Sequence, residues 1–114
     1  MTQAELAKKR CVVCNADTPS IAPDDAQRLL MQVPGWSLQD GGKSVHMERR
    51  FANFMAVLEF LNKLAPIVEE EDHHPDIRIF SYRWLALDYS THAIGGLTEN
   101  DFIMAARVNE LLDQ

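Results

Sequence analysis

Apolar residues along this chain change their spacing several times, and each change marks an element. From Ala22 onward, Ala26, Leu29, Leu30 and Val33 fall on one face of a helix. Pro23 suits its first turn, where a missing N–H costs nothing, and Asp24 and Asp25 follow where the helix dipole favours acid. Pro34-Gly35 ends it. Trp36 and Leu38 then alternate with polar residues, Asp40-Gly41-Gly42-Lys43 has hairpin-turn chemistry, and residues 44–51 return as a strand. Val45, Met47 and Phe51 share one face of that strand; His46, Glu48 and Arg50 share the other. Asn53 can cap the longest helix, whose apolar stripe is Phe54, Val57, Leu58, Leu61, Leu64, Ala65 and Val68. Pro66 interrupts that stripe, so a kink or an early end is expected there.

A second hairpin follows. Pro75 pushes His74 towards an extended conformation. Residues 76–82 alternate, with Ile77 and Ile79 against Arg78 and Phe80. A tight turn near Tyr82-Arg83 leads to a strand in which Leu85, Leu87 and Tyr89 oppose Trp84, Ala86 and Asp88. Gly95-Gly96 turns the chain again. Thr98 and Asp101 form a capping-box pair for a last helix with Met104, Val108 and Leu111 on its apolar face. The order α-ββ-α-ββ-α predicts an α+β fold: a four-stranded antiparallel sheet with helices packed on one face. Residues 21–114 read as a single domain, and residues 1–20 as a loose N-terminal segment with a short helical stretch at 4–10.

Composition narrows the functions. With 114 residues and 46% apolar content, the chain can bury a real core. A net charge of −6 excludes the basic face of a nucleic-acid binder. No uncharged apolar run approaches the ~20 residues of a membrane span, and residues 1–10 lack the apolar core of a signal peptide. A soluble, cytoplasmic protein is expected. Its two cysteines, Cys11 and Cys14, are spaced C-x-x-C. A structural zinc site wants four ligands, so two reduced thiols are the favoured reading. A redox pair, or a metal site completed by His46 or a second chain, remains open.

Three of the four histidines, His73, His74 and His92, fall within residues 69–101. Imidazole titrates nearest neutral pH, so the cluster points to proton transfer, metal binding or a pH switch. Adjacent histidines on an extended segment face opposite ways, which argues against joint chelation by His73 and His74. The acidic run 69–72 would close the long helix where negative charge is unfavourable. Simple solvation of Glu70 and Glu71 is the expected excuse.

Glu69, then His73-His74-Pro75, Tyr82, Thr91-His92, Gly95-Gly96-Leu97-Thr98 and Asp101 resemble the signature of the pterin-4a-carbinolamine dehydratases. Leu6-Ala7, Lys9, Cys11 and Cys14 resemble the start of bacterial members. Pro34-Gly35-Trp36 and Asn100-Asp101-Phe102-Ile103 extend the likeness over nearly the whole chain. One residue more than in mammalian-type members lies between Pro75 and Tyr82, read as a β-bulge or a longer turn. The resemblance implies dehydration of 4a-hydroxytetrahydropterin (pterin-4a-carbinolamine) to quinonoid dihydropterin and water, recycling the cofactor of aromatic amino acid hydroxylases. It implies catalytic His73, His74 and His92, no cofactor and no metal. Asp101 would orient a histidine or touch the ligand, Glu69 would orient a histidine, and Trp36 would pack near the pterin ring. Relatives form dimers or tetramers, and some act as dimerisation or assembly factors, so a homo-oligomer and a protein partner such as a hydroxylase are also implied. A non-catalytic binding protein on the same fold is the alternative.

Overall fold

The computed structural model describes residues 1–114. The elements are α1 (Gln3–Lys8), α2 (Pro23–Leu30), β1 (Ser37–Gln39), β2 (Ser44–Arg50), α3 (Phe54–Glu71), β3 (Asp76–Phe80), β4 (Trp84–Tyr89) and α4 (Glu99–Leu112). The strands form one antiparallel sheet in the order β1-β2-β4-β3, as the two hairpin patterns predict. Alternation decides the faces. Val45 and Met47 of β2 and Leu85, Leu87 and Tyr89 of β4 enter the core with Phe102, Ile103, Met104 and Val108 of α4. Val57, Phe60, Leu64 and Val68 bring α3 to the same core.

The β1–β2 turn is a short 3-10 helix, Asp40–Gly42, in which Asp40, Gly41 and Gly42 all have positive φ. In the second hairpin the ladder from Asp76↔Asp88 to Phe80↔Trp84 is unbroken. This ladder contains no β-bulge. The turn places Ser81 and Tyr82 at φ 46° and 53°. Continuous pairing matters downstream, because β4 delivers the loop that carries His92.

Pro66 neither kinks out nor ends α3, which runs on to Glu71. The proline and the residue four before it, Asn62, are both exposed, so the carbonyl that loses its partner meets water. Leu64 and Val68 anchor the turns on either side in the core. The helix closes at Asp72, in the left-handed region at φ 51°, and the His73 N–H returns to the Val68 carbonyl.

Residues 1–20 are not loose along their length. Thr2 and Glu5 form a capping box on α1, and Leu6 is fully buried in the core beside α4. Beyond α1, the Cys11 N–H donates to Glu71 Oε1 at 2.7 Å, and Val12 exchanges two hydrogen bonds with the Asn100 side chain. The expectation of solvation for Glu71 is therefore corrected: its side chain is 1% exposed and ion-pairs with Arg10 Nε at 2.6 Å. Burial works against its ionisation, but the Cys11 N–H and the Arg10 guanidinium outweigh that and hold the carboxyl below its usual range. Glu70 is exposed and reaches Arg10 at 3.2 Å. Leu6→Ala should therefore cost ~2–5 kcal/mol in a denaturant titration, as for other core leucines; a loose segment would show no change.

On the outer face, His46 of β2 sits between two carboxylates. Its Nδ1 lies 2.8 Å from Asp88 Oδ1 and its Nε2 2.8 Å from Glu48 Oε2. Partial burial lowers its pKa, but the Glu48 and Asp88 bonds outweigh this and raise it above the ordinary value of 6.5. A raised folded-state pKa gives stability that is full below the unfolded value and is lost as pH rises through the folded one. The thermal midpoint should therefore fall modestly from about pH 6 to pH 8, and His46→Gln should flatten that slope. This cross-strand role leaves His46 far from the C-x-x-C segment in function: it completes no site with Cys11 and Cys14, and no cluster of metal-ligating side chains is formed anywhere in the chain.

Candidate active site

Three segments bring the site together. The end of α3 supplies Glu71, Asp72, His73 and His74. The loop after β4 supplies Ser90, Thr91, His92 and Ala93. The N-terminal segment supplies residues 11–14, and Asn100 closes the floor. These residues line one pocket of about 310 Å³, room for a small bicyclic ligand. All three sequence-predicted histidines are in its wall.

Each histidine is held differently. His73 is half-buried, stacked on Tyr89 with ring centroids 5.4 Å apart and planes 6° from parallel. Its Nε2 lies 2.6 Å from Oδ1 of Asp101, which is wholly buried. The other Asp101 oxygen accepts from the Thr91 hydroxyl and the Thr98 N–H, both at 2.9 Å. A carboxylate that accepts all three bonds pairs with the His73 tautomer that donates from Nε2, whose lone pair then lies on Nδ1. His74 is exposed, with Nε2 2.6 Å from Glu69 Oε2. His92 starts a tight loop closed by the Thr91–Gly96 bridge, with Gly95 at φ 60°, a conformation that favours glycine.

Asp101 ties these parts to one another. It completes the capping box of α4 with Thr98, orients His73, and through Thr91 pins the loop that carries His92. Asp101 does not itself line the pocket; its contact with the site is through His73 and Thr91. Glu69 likewise stands outside the wall and is hydrogen-bonded to His74. Trp36 does not meet the expectation of packing near a ligand. It is 6% exposed in the core, its indole N–H donates to Asn109 Oδ1 at 2.9 Å, and it is absent from the pocket wall. A buried indole needs such an acceptor, and α4 provides it.

Sequence reasoning missed Asn100, Glu71 and residues 11–14 as parts of the site. Burial raises the Cys11 thiol, helped by Glu71 and Asp101, to about 12, so it is protonated and unreactive at neutral pH. The Tyr89 hydroxyl is also raised by burial and serves His73 as a flat apolar support.

The α+β scaffold thus brings three imidazoles to one pocket, two of them hydrogen-bonded to carboxylates. Residues 19–111 match the family model described as "Pterin 4 alpha carbinolamine dehydratase". The chain is 41% identical over 111 residues to a Methylococcus capsulatus protein provisionally named for that activity, covering 97% of this chain and 96% of the relative. It is 43% identical to the Arabidopsis thaliana pterin-4-alpha-carbinolamine dehydratase 2, mitochondrial, over 95% of this chain and 59% of that longer protein. Among solved structures, a Brucella melitensis "transcriptional coactivator/pterin dehydratase" superposes with a TM-score of 0.76 at 26% identity, over 82% of this chain and 98% of that one. A pterin dehydratase-like protein described as a RuBisCO assembly factor in the alpha-carboxysome gives 0.57 at 26% identity, over 68% and 88%. The chain belongs to the pterin-4a-carbinolamine dehydratase family, hydro-lyases by class.

Proposed function

We propose that this protein dehydrates 4a-hydroxytetrahydrobiopterin, or a related pterin carbinolamine, by histidine acid/base catalysis. The observation that carries the reading is the meeting of His73, His74 and His92 in one pocket of bicyclic-ligand size. In the reaction, the C4a–O bond breaks and the hydroxyl leaves as water after taking a proton. The N5–H proton goes to a base, and the N5 electrons form the C4a=N5 bond of the quinonoid dihydropterin. Two proton transfers suffice, so no metal or redox group enters this mechanism. His73, with its lone pair left on Nδ1 by the Asp101 bond, suits the base; His74, exposed and held by Glu69, suits the acid that protonates the departing oxygen. Whether His92 shares either role or binds the pterin is decided by its separate substitution.

The test is a stopped-flow assay with synthetic carbinolamine. Catalysed loss of the 4a-hydroxyl well above the spontaneous rate supports the reading; a rate equal to the blank sinks it. The likeness to an assembly factor favours one second reading, a binding role on the same scaffold. That reading gains if the assay is blank while the protein captures a partner enzyme such as a hydroxylase. We further propose a homodimer or homotetramer, because β1 and β3 leave two sheet edges for pairing. Sedimentation showing only monomer at micromolar concentration would count against it. No helix is long and apolar enough to cross a membrane. The cytoplasm is the proposed compartment, to which two free thiols are suited.

A further inference from the structure

The N-terminal segment of the pocket is not needed for proton transfer, yet buried polar groups hold it in place. Residues 11–14 line the same pocket as the histidines. The amide of Asn100 imitates a strand partner: its Oδ1 accepts the Val12 N–H at 3.0 Å and its Nδ2 donates to the Val12 carbonyl at 2.8 Å. Glu71 accepts the Cys11 N–H. Both anchors are buried, and neither has a part in the proposed chemistry. Their places in the chain are telling. Glu71 lies two residues before His73, and Asn100 adjoins Asp101, which orients His73. The strap is thus registered to the same backbone that sets the imidazole. It presents Val12 and Val13, 68% and 98% exposed, to the pocket's rim, where nothing in the chain covers them. Uncovered valines beside a pocket gain if a flat ligand shields them from water.

We infer that residues 11–14 form a substrate-positioning strap whose Val12 and Val13 hold the pterin against the histidines. The inference rests on the dehydratase reading and names a binding element for that site. The strap contributes binding in ground state and transition state alike, and does not transfer protons.

The test is the double variant Val12→Ser, Val13→Ser, assayed beside the parent. Both side chains are exposed, so the fold should survive. KM should rise on the order of tenfold, the effect of losing a few apolar contacts, with kcat within about threefold and the pH–rate profile unmoved. An active parent whose variant keeps its KM overturns the strap. So does a fall in kcat with a shifted pH profile, which would make the segment part of the proton chemistry. A second measurement needs no turnover. Cys14, half-buried in the strap, is alkylated with iodoacetamide, with and without saturating 7,8-dihydrobiopterin, and mapped by peptide mass. Protection of Cys14 is expected; equal rates overturn the strap. Protection in a protein that fails the dehydration assay would retain the strap and sink the dehydratase reading alone.

Discussion

Replacing His74 with alanine should lower kcat by ~10²-fold or more while leaving the thermal midpoint unchanged. The two halves of that expectation come from different features. His74 is 54% exposed and its one close partner, Glu69, is 75% exposed. A solvated pair of this kind adds little to stability, and removing a surface side chain normally changes it by under ~0.5 kcal/mol. Catalysis is another matter. Pro75 confines the backbone of His74 to extended geometry, and Glu69 holds Nε2 at 2.6 Å, so the ring is presented to the pocket from two sides. An acid must come within ~2.6–3.2 Å of the oxygen it protonates, and this ring is held in the pocket wall. The checks are kcat by stopped flow and the midpoint by scanning fluorimetry. Full activity at an unchanged midpoint would rule the role out. Glu69→Gln should give a smaller loss of the same kind, because it only orients.

Asp101→Asn should damage both activity and stability. The carboxylate accepts three hydrogen bonds, from His73, Thr91 and Thr98. An amide of the same shape has one accepting oxygen and an NH₂ group, so either a buried donor loses its acceptor or His73 must change tautomer. The cost should be ~1–3 kcal/mol, read as a lower denaturation midpoint. If the amide turns its nitrogen to His73, the imidazole must accept at Nε2 and move its proton to Nδ1, the nitrogen proposed as the base. If it turns the nitrogen to Thr91 and Thr98, the capping box and the His92 loop slacken instead. Either way kcat should fall by ~10²-fold or more, measured at a temperature where the variant remains folded. Near-parental activity in the folded variant would remove Asp101 from the catalytic arrangement.

These two residues also show what the amino-acid sequence could and could not disclose. His74-Pro75 and Thr98 to Asp101 act through neighbours a few positions away, so spacing alone reveals their geometry. The two hairpins were legible for the same reason, since turn chemistry and alternation are local. Glu71 and Asn100 were not, because their partners Cys11 and Val12 lie 60 and 88 positions away. No periodicity reports a contact of that range, and an acid at a helix C-terminus looks solvated until its distant partner is placed. Trp36 failed for another reason. An indole beside a strand looks alike whether it faces a ligand or Asn109, and only packing separates the two. Pro66 was misjudged because its cost depends on where the freed carbonyl points, which the sequence does not state.

The double duty of Asp101 bears on how a lineage of such proteins could drift after losing the need for catalysis. Substitutions at His74 would be nearly free, since the exposed side chain supports nothing in the core. Substitutions at Asp101 would still be purged, because the start of α4 and the loop after β4 depend on its oxygens whether or not any substrate is turned over. A descendant recruited purely for binding would be expected to shed the exposed imidazole first and to keep the buried acid long after. In a protein of this fold, the aspartate alone is therefore a poor witness to activity, and the residue that costs least to lose is the better one.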